Sequence, residues 1–257
     1  MPISSSGHLV LFQNLLGLTE GNESFLAFDI LLHIGTLISV LFIFWKDICG
    51  MVVAFFKMLW DLITRGRLNI QKSEYRKLVI MLIIASIPLV IGAILENYIE
   101  GIFSSVLFVG CALILTGVIL IWTDKFKNTT KTLQTATFKD ALIVGVAQLI
   151  AIVPGLSRSG STIFGGVIAG LSREFAVKFS FLLSMVAILG AAAISIKDFS
   201  GGVIAASLAP AIAGTIVAAI VGIIAIKWLV SLISKGRYYL LAYYCFAVGI
   251  VSIICAL

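Results

Sequence analysis

Six stretches of the chain are apolar almost without interruption, at about 28–45, 78–95, 103–122, 176–196, 208–230 and 238–256. Each is close to the roughly 20 residues that a helix needs to cross about 30 Å of hydrocarbon. The pattern predicts six spanning helices. Two further apolar regions are interrupted. Residues 138–171 run apolar, break at Pro154-Gly155-Leu156-Ser157-Arg158-Ser159-Gly160-Ser161-Thr162, and resume briefly. Neither half can cross alone, so the segment reads as a re-entrant hairpin. Residues 1–18 read as the second half of a similar unit, starting at Pro2-Ile3-Ser4-Ser5-Ser6-Gly7-His8. The stretch 48–64 carries Lys57 and Asp61 and suits a helix lying along the membrane interface.

Composition agrees with the pattern. The chain is 61% hydrophobic and 12% charged, against about 45–50% and 25% in soluble domains. A soluble fold of 257 residues could not hide that much apolar surface. The net charge of +6 would suit nucleic acid in a soluble protein, but here the cations sit in loops. Segments 46–77, 123–140, 172–178 and 227–237 hold seven, four, two and three Lys or Arg, sixteen of the eighteen. Under the positive-inside rule those segments are cytoplasmic. No nucleic-acid partner is implied. Cys49, Cys111, Cys245 and Cys255 stand singly in apolar stretches, as free thiols do.

The two halves echo one another. Pro2 precedes a Ser-rich run and, 26 residues on, a span opening at Phe28; Pro154 precedes a Ser-rich run and, 25 residues on, a span opening at Phe179. The charge count sends the two spans in opposite directions, which makes the repeat inverted. Broken helices from inverted halves meet near the midplane and form the site. The predicted fold is an all-α polytopic membrane protein, an inverted repeat of re-entrant helix hairpins plus about six transmembrane helices. It forms a single membrane domain, 1–257, with a first half at 1–122, a Lys- and Thr-rich connector at 123–137 and a second half at 138–257.

Irregular backbone at membrane depth is tolerated only where it is buried in protein or faces a wet cavity. The second break holds four hydroxyls (Ser157, Ser159, Ser161 and Thr162), the cation Arg158, and Gly155 and Gly160, which let backbone approach a ligand. The helix that follows starts with a Ser/Thr cap, and its free N–H groups and positive dipole end attract anions. Arg158 adds a fork of donors matched to phosphate, with no acidic residue within nine positions on either side. Ser4, Ser5 and Ser6 repeat the design, with His8 as a general acid or base near neutral pH. A serine becomes nucleophilic when a base takes its proton. His33, on the first span, reads as a satisfied interior polar group, and Gly166 with Gly170 as a close-packing pair. These parts suit a phosphate ester or anhydride on a lipid, and leave hydrolysis, binding and transport open.

The run Pro2 to His8, with Pro154 to Thr162 and Phe179-Ser180-Phe181-Leu182-Leu183, resembles the signatures of the undecaprenyl pyrophosphate phosphatases, the bacitracin-resistance family. The likeness runs over nearly the whole chain. It implies a multi-pass enzyme of the bacterial cell (inner) membrane. Such an enzyme removes the terminal phosphate from the polyprenyl pyrophosphate carrier, so that the monophosphate is reused for peptidoglycan. By the same resemblance Ser5 is the nucleophile, His8 the base or acid and Arg158 the phosphate clamp. Ser4, Ser6, Ser157, Ser159 and Thr162 are their hydroxyl neighbours around the substrate. A divalent cation, Mg or Ca, is implied as cofactor, a homodimer is one assembly open to the chain, and the site is expected to open outward.

One departure matters. The family carries an acidic E-x-x-x-E element just ahead of the first signature, and nothing here occupies that position. Glu20 and Glu23 lie on the wrong side of the Ser run and read as loop residues. A lost N-terminal segment is the expected cause, with a catalytically impaired homologue as the other reading. Type 2 phosphatidic acid phosphatases also carry an SGH element, but they need a histidine after the arginine, and none follows Arg158. A carrier or flippase of the isoprenoid lipid is the non-enzymatic alternative.

Overall fold

A computed structural model describes residues 1–17, 23–103, 105–126, 128–195, 208–234 and 236–256, with side chains placed for 1–17, 31–70, 72–92, 105–126, 128–190, 212–233 and 236–256. The described residues are helical, apart from connections and one isolated bridge between Lys131 and Leu171. The helices are α1 (Ser5–Leu15), α2 (Glu23–Ile43), α3 (Trp45–Arg65), α4 (Glu74–Phe103), α5 (Val106–Lys125), α6 (Phe138–Ile150), α7 (Arg158–Ile168), α8 (Arg173–Ser195), α9 (Leu208–Ser234) and α10 (Tyr238–Ala256).

Among the described residues, four segments are long and apolar enough to cross a membrane: Glu74–Gly92, Val106–Lys125, Ile212–Ile233 and Tyr238–Ala256. A fifth qualifies only as the pair Leu31–Ile43 and Trp45–Arg65, bent by 90°. All of these segments except α3 fall largely within predicted stretches, and the all-helical architecture is the polytopic one the sequence predicts. Helix α8 opens with Arg173, Glu174 and Lys178. Two of these are anchored to protein: Lys178 Nζ lies 2.7 Å from Asp47 Oδ1, and Arg173 Nη1 lies 3.7 Å from Asp124 Oδ1. Helix α3 leaves α2 at a right angle. Ile48, Met51, Ala54 and Met58 are buried on one face, while Val52, Phe55, Phe56, Trp60 and Ile63 point outward.

Small residues let the central helices approach. A Cβ placed on Gly110 of α5 would lie 3.0 Å from the Gly249 carbonyl oxygen of α10, and one on Gly117 would lie 2.6 Å from the Phe246 ring. The α6–α7 hairpin closes in the same way. A Cβ on Gly165 would lie 2.7 Å from Ala147 Cβ, and Gly145 abuts Ala85 of α4. The expected Gly166–Gly170 pair is corrected: Gly166 packs against Ala176 of α8, but Gly170 lies beyond the end of α7, with φ 88°. His33 is also corrected, because it stands on an exposed face of α2 rather than in the interior. Of the expected loop residues, Glu23 is the first residue of α2 and Glu20 lies outside the described residues.

The connector is stitched to the hairpin. Lys131 N donates to Gly170 O at 3.0 Å, and Ser172 N donates to Lys131 O at 2.8 Å. Lys131 Nζ reaches Asp140 Oδ1 at 2.9 Å and Ala169 O at 2.7 Å. Asp140 completes a capping box with Thr137 at the start of α6. Burial pushes the Asp140 carboxyl up, but the Lys131 ammonium and the Thr137 hydrogen bonds outweigh it and hold the group below its ordinary value.

Candidate active site

Both Ser-rich breaks end in helices of 11 residues with the same cap. Ser4 Oγ accepts from Gly7 N at 3.2 Å to open α1, and Ser157 Oγ accepts from Gly160 N at 3.1 Å to open α7. The shared S-x-S-G order does this because the cap must reach the third residue on. Ser4 holds φ 63°, the one positive φ outside glycine among the described residues. An L-residue in the left-handed region costs about 1–3 kcal/mol, and such strain gathers at functional sites.

The two breaks touch. A Cβ placed on Gly7 would lie 3.0 Å from Ser4 Oγ, 3.1 Å from Gly155 Cα and 3.3 Å from Val109 Cγ1. Gly155, with φ 86°, lies against α5 so closely that a Cβ there would meet Ala112 Cβ at 2.8 Å and Val109 Cα at 3.0 Å. Pro2 Cβ lies 3.6 Å from the Cβ position on Gly160. The starts of α1 and α7 thus share one platform on α5. Their first turns, which carry free N–H groups and positive dipole ends, therefore lie close together.

Thr116 of α5, 1% exposed, holds the second break in shape. Its hydroxyl accepts from Ser157 N at 3.0 Å and donates to Gly155 O at 3.4 Å. Thr162 Oγ1 donates to Arg158 O at 3.0 Å and lies 2.6 Å from Ser180 Oγ of α8. His8 is held at both nitrogens: Nδ1 lies 2.7 Å from Ser4 O, and Nε2 lies 2.8 Å from the hydroxyl of Tyr244 on α10.

The expected site residues therefore divide. Ser4, Ser157 and Thr162 are buried, with hydroxyls bonded to protein, and Gly155 and Gly160 are buried where the breaks meet. Ser5, Ser6 and Arg158 are exposed, and Ser159 and His8 half-buried. The sequence reading missed Thr116 and Tyr244. A lone hydroxyl inside an apolar span was a usable sign of Thr116, since polar groups at membrane depth are rarely idle. Tyr244 sits in the run Tyr238-Tyr239 to Tyr243-Tyr244, which reads like an interfacial aromatic belt. Among the described residues, no group of three or more His, Cys, Asp or Glu side chains converges. The described donors around the breaks are hydroxyls, a histidine and an arginine, and this set does not fit a divalent cation.

The family described as "Bacitracin resistance protein BacA" matches residues 1–251. The chain is similar to proteins named undecaprenyl-diphosphatase from three organisms. In Halothermothrix orenii it is 43% identical over 100% of this chain and 92% of the relative. In Methanosphaera stadtmanae it is 41% identical over 99% and 91%. In Desulforapulum autotrophicum it is 42% identical over 99% and 92%. With the paired Ser-capped helices in place and the likeness running from end to end, the chain belongs to the bacitracin resistance protein BacA family.

Proposed function

We propose that this chain hydrolyses undecaprenyl pyrophosphate to undecaprenyl phosphate and inorganic phosphate where α1 meets α7, recycling the lipid carrier for cell-wall synthesis and so conferring bacitracin resistance. It is a multi-pass membrane protein, and the cell membrane is its proposed location. One observation carries the reading: Gly7 of the first break packs on Gly155 of the second. That contact brings the two helix N-termini close together, and Ser5, Ser6 and Arg158, in their first turns, are exposed.

The pyrophosphate sits at the joined N-termini, where backbone N–H groups and dipoles favour negative charge. Arg158 contacts the terminal phosphoryl oxygens and stabilises the charge that grows on them. Ser5 Oγ attacks the terminal phosphorus, the bond to the bridging oxygen breaks, and the monophosphate lipid leaves. His8, three residues along α1 on the same face, takes the serine proton. Water then releases phosphate from Ser5, and the proton returns. A divalent cation is implied by family resemblance, but the described residues do not form a site for one, and every step above uses the chain's own groups.

The test is phosphate release from the pyrophosphate lipid by the purified protein in detergent. Arg158→Ala should insert normally and lose turnover. Near-wild-type rates in that variant contradict the clamp. A wild-type protein that binds the lipid and releases no phosphate points instead to a carrier.

A further inference from the structure

We propose that Tyr244 is a positioning residue for His8, fixing where the basic nitrogen of its imidazole points. His8 Nδ1 lies 2.7 Å from the Ser4 carbonyl oxygen. A carbonyl only accepts, so Nδ1 carries the hydrogen of the neutral ring. The lone pair is then on Nε2, 2.8 Å from the Tyr244 hydroxyl, which donates to it. The two rings are almost parallel, 4° apart with centroids at 5.6 Å. The Ser4 carbonyl is itself fixed, because it also accepts from His8 N at 3.2 Å and belongs to the residue at φ 63°.

Tyr244 is tied to the same platform as the two breaks. Its helix α10 packs on α5 through Gly249 against Gly110 and Phe246 against Gly117. The neighbouring tyrosines serve as a contrast: Tyr239 and Tyr243 pair edge to face with each other, whereas Tyr244 reaches across 236 residues of sequence to His8. For Ser5 to deliver its proton to Nε2, the Tyr244 hydroxyl gives up that lone pair; once Nε2 is protonated, the phenol oxygen accepts from it. Tyr244 thus holds the ring in both protonation states without exchanging a bond with substrate.

The inference rests on His8 taking part in turnover, and the test separates the two. Tyr244→Phe keeps the stacked ring and removes the hydroxyl. It should lower kcat about ten-fold, the usual worth of one such bond, and leave KM unchanged. Placed in His8→Ala, the same change should have no further effect. The chain has two histidines, so ¹⁵N-histidine spectra are simple to assign with a His33→Asn control. Wild type should show His8 with Nδ1 protonated and Nε2 hydrogen-bonded, and Tyr244→Phe should lose the Nε2 signature. A wild-type spectrum with Nε2 protonated overturns the proposal, whatever the variant does. So does full kcat in Tyr244→Phe while His8→Ala is impaired, or an equal loss in the His8→Ala background. Unimpaired His8→Ala removes His8 from the mechanism, and the role of Tyr244 with it.

Discussion

Replacing Thr116 by valine removes one oxygen from the middle of α5 and leaves shape and helix propensity almost unchanged. Two backbone groups of the second break lose their partner. The Ser157 N–H, buried and bonded at 3.0 Å, is left unsatisfied at a cost of about 1–3 kcal/mol. The Gly155 carbonyl loses a long bond of 3.4 Å, which adds about 0.5 kcal/mol, the low end of the net worth of one hydrogen bond. A penalty of about 2 kcal/mol falls on the break rather than on the packing of α5. At 1.4 kcal/mol per factor of ten, kcat/KM should fall about ten- to thirty-fold. Phosphate release in detergent measures it, with thermal unfolding as a check that the helices remain assembled. Thr116→Ser keeps the oxygen and should retain most activity. Wild-type kcat/KM in Thr116→Val would refute the idea that this hydroxyl shapes the site.

Gly155→Ala should be harsher, because φ 86° penalises any side chain and the new methyl would lie 2.8 Å from Ala112 Cβ. We expect activity to fall by more than in Thr116→Val, measured in the same assay. Ser180→Ala removes the 2.6 Å partner of the buried Thr162 hydroxyl. It should cost about 1 kcal/mol of stability, read as a lower unfolding temperature, while Thr162 keeps its bonds to α7. The lowered pKa of Asp140 stabilises the fold above the ordinary carboxyl value of 3.8, and that stability is lost as pH falls through the lowered folded value. Asp140→Asn should therefore be less stable than wild type at neutral pH and flatter in its dependence below about pH 4, by thermal unfolding across pH.

Much of this was legible in the chain. Apolar runs of spanning length place α4, α5, α9 and α10, and proline with serines inside apolar sequence marks both breaks. The echo between Pro2 and Pro154 anticipates their meeting, which the contact of Gly7 with Gly155 realises. What escaped was the direction of side chains. Ser4, Ser157 and Thr162 look equivalent to Ser5 and Ser159 in sequence, yet a capping serine turns its oxygen back to its own helix and the next one cannot. Thr116 and Tyr244 reach the site only because α5 and α10 pack through glycines, a contact between segments far apart in sequence. The carboxylate partners of Lys178 and Arg173 also escaped, because they lie on other helices.

The meeting of the two breaks can be tested by covalent chemistry. Pro2 Cβ and the Cβ position on Gly160 are 3.6 Å apart, within the roughly 3.5–4.5 Å that a disulfide requires. Pro2→Cys with Gly160→Cys, in a chain freed of its four native cysteines, should close quickly under mild oxidation. Mass spectrometry would then show the loss of two hydrogens and a cross-linked peptide joining the starts of α1 and α7. Two thiols that stay free and separately alkylated under those conditions would place the breaks apart and contradict a shared site.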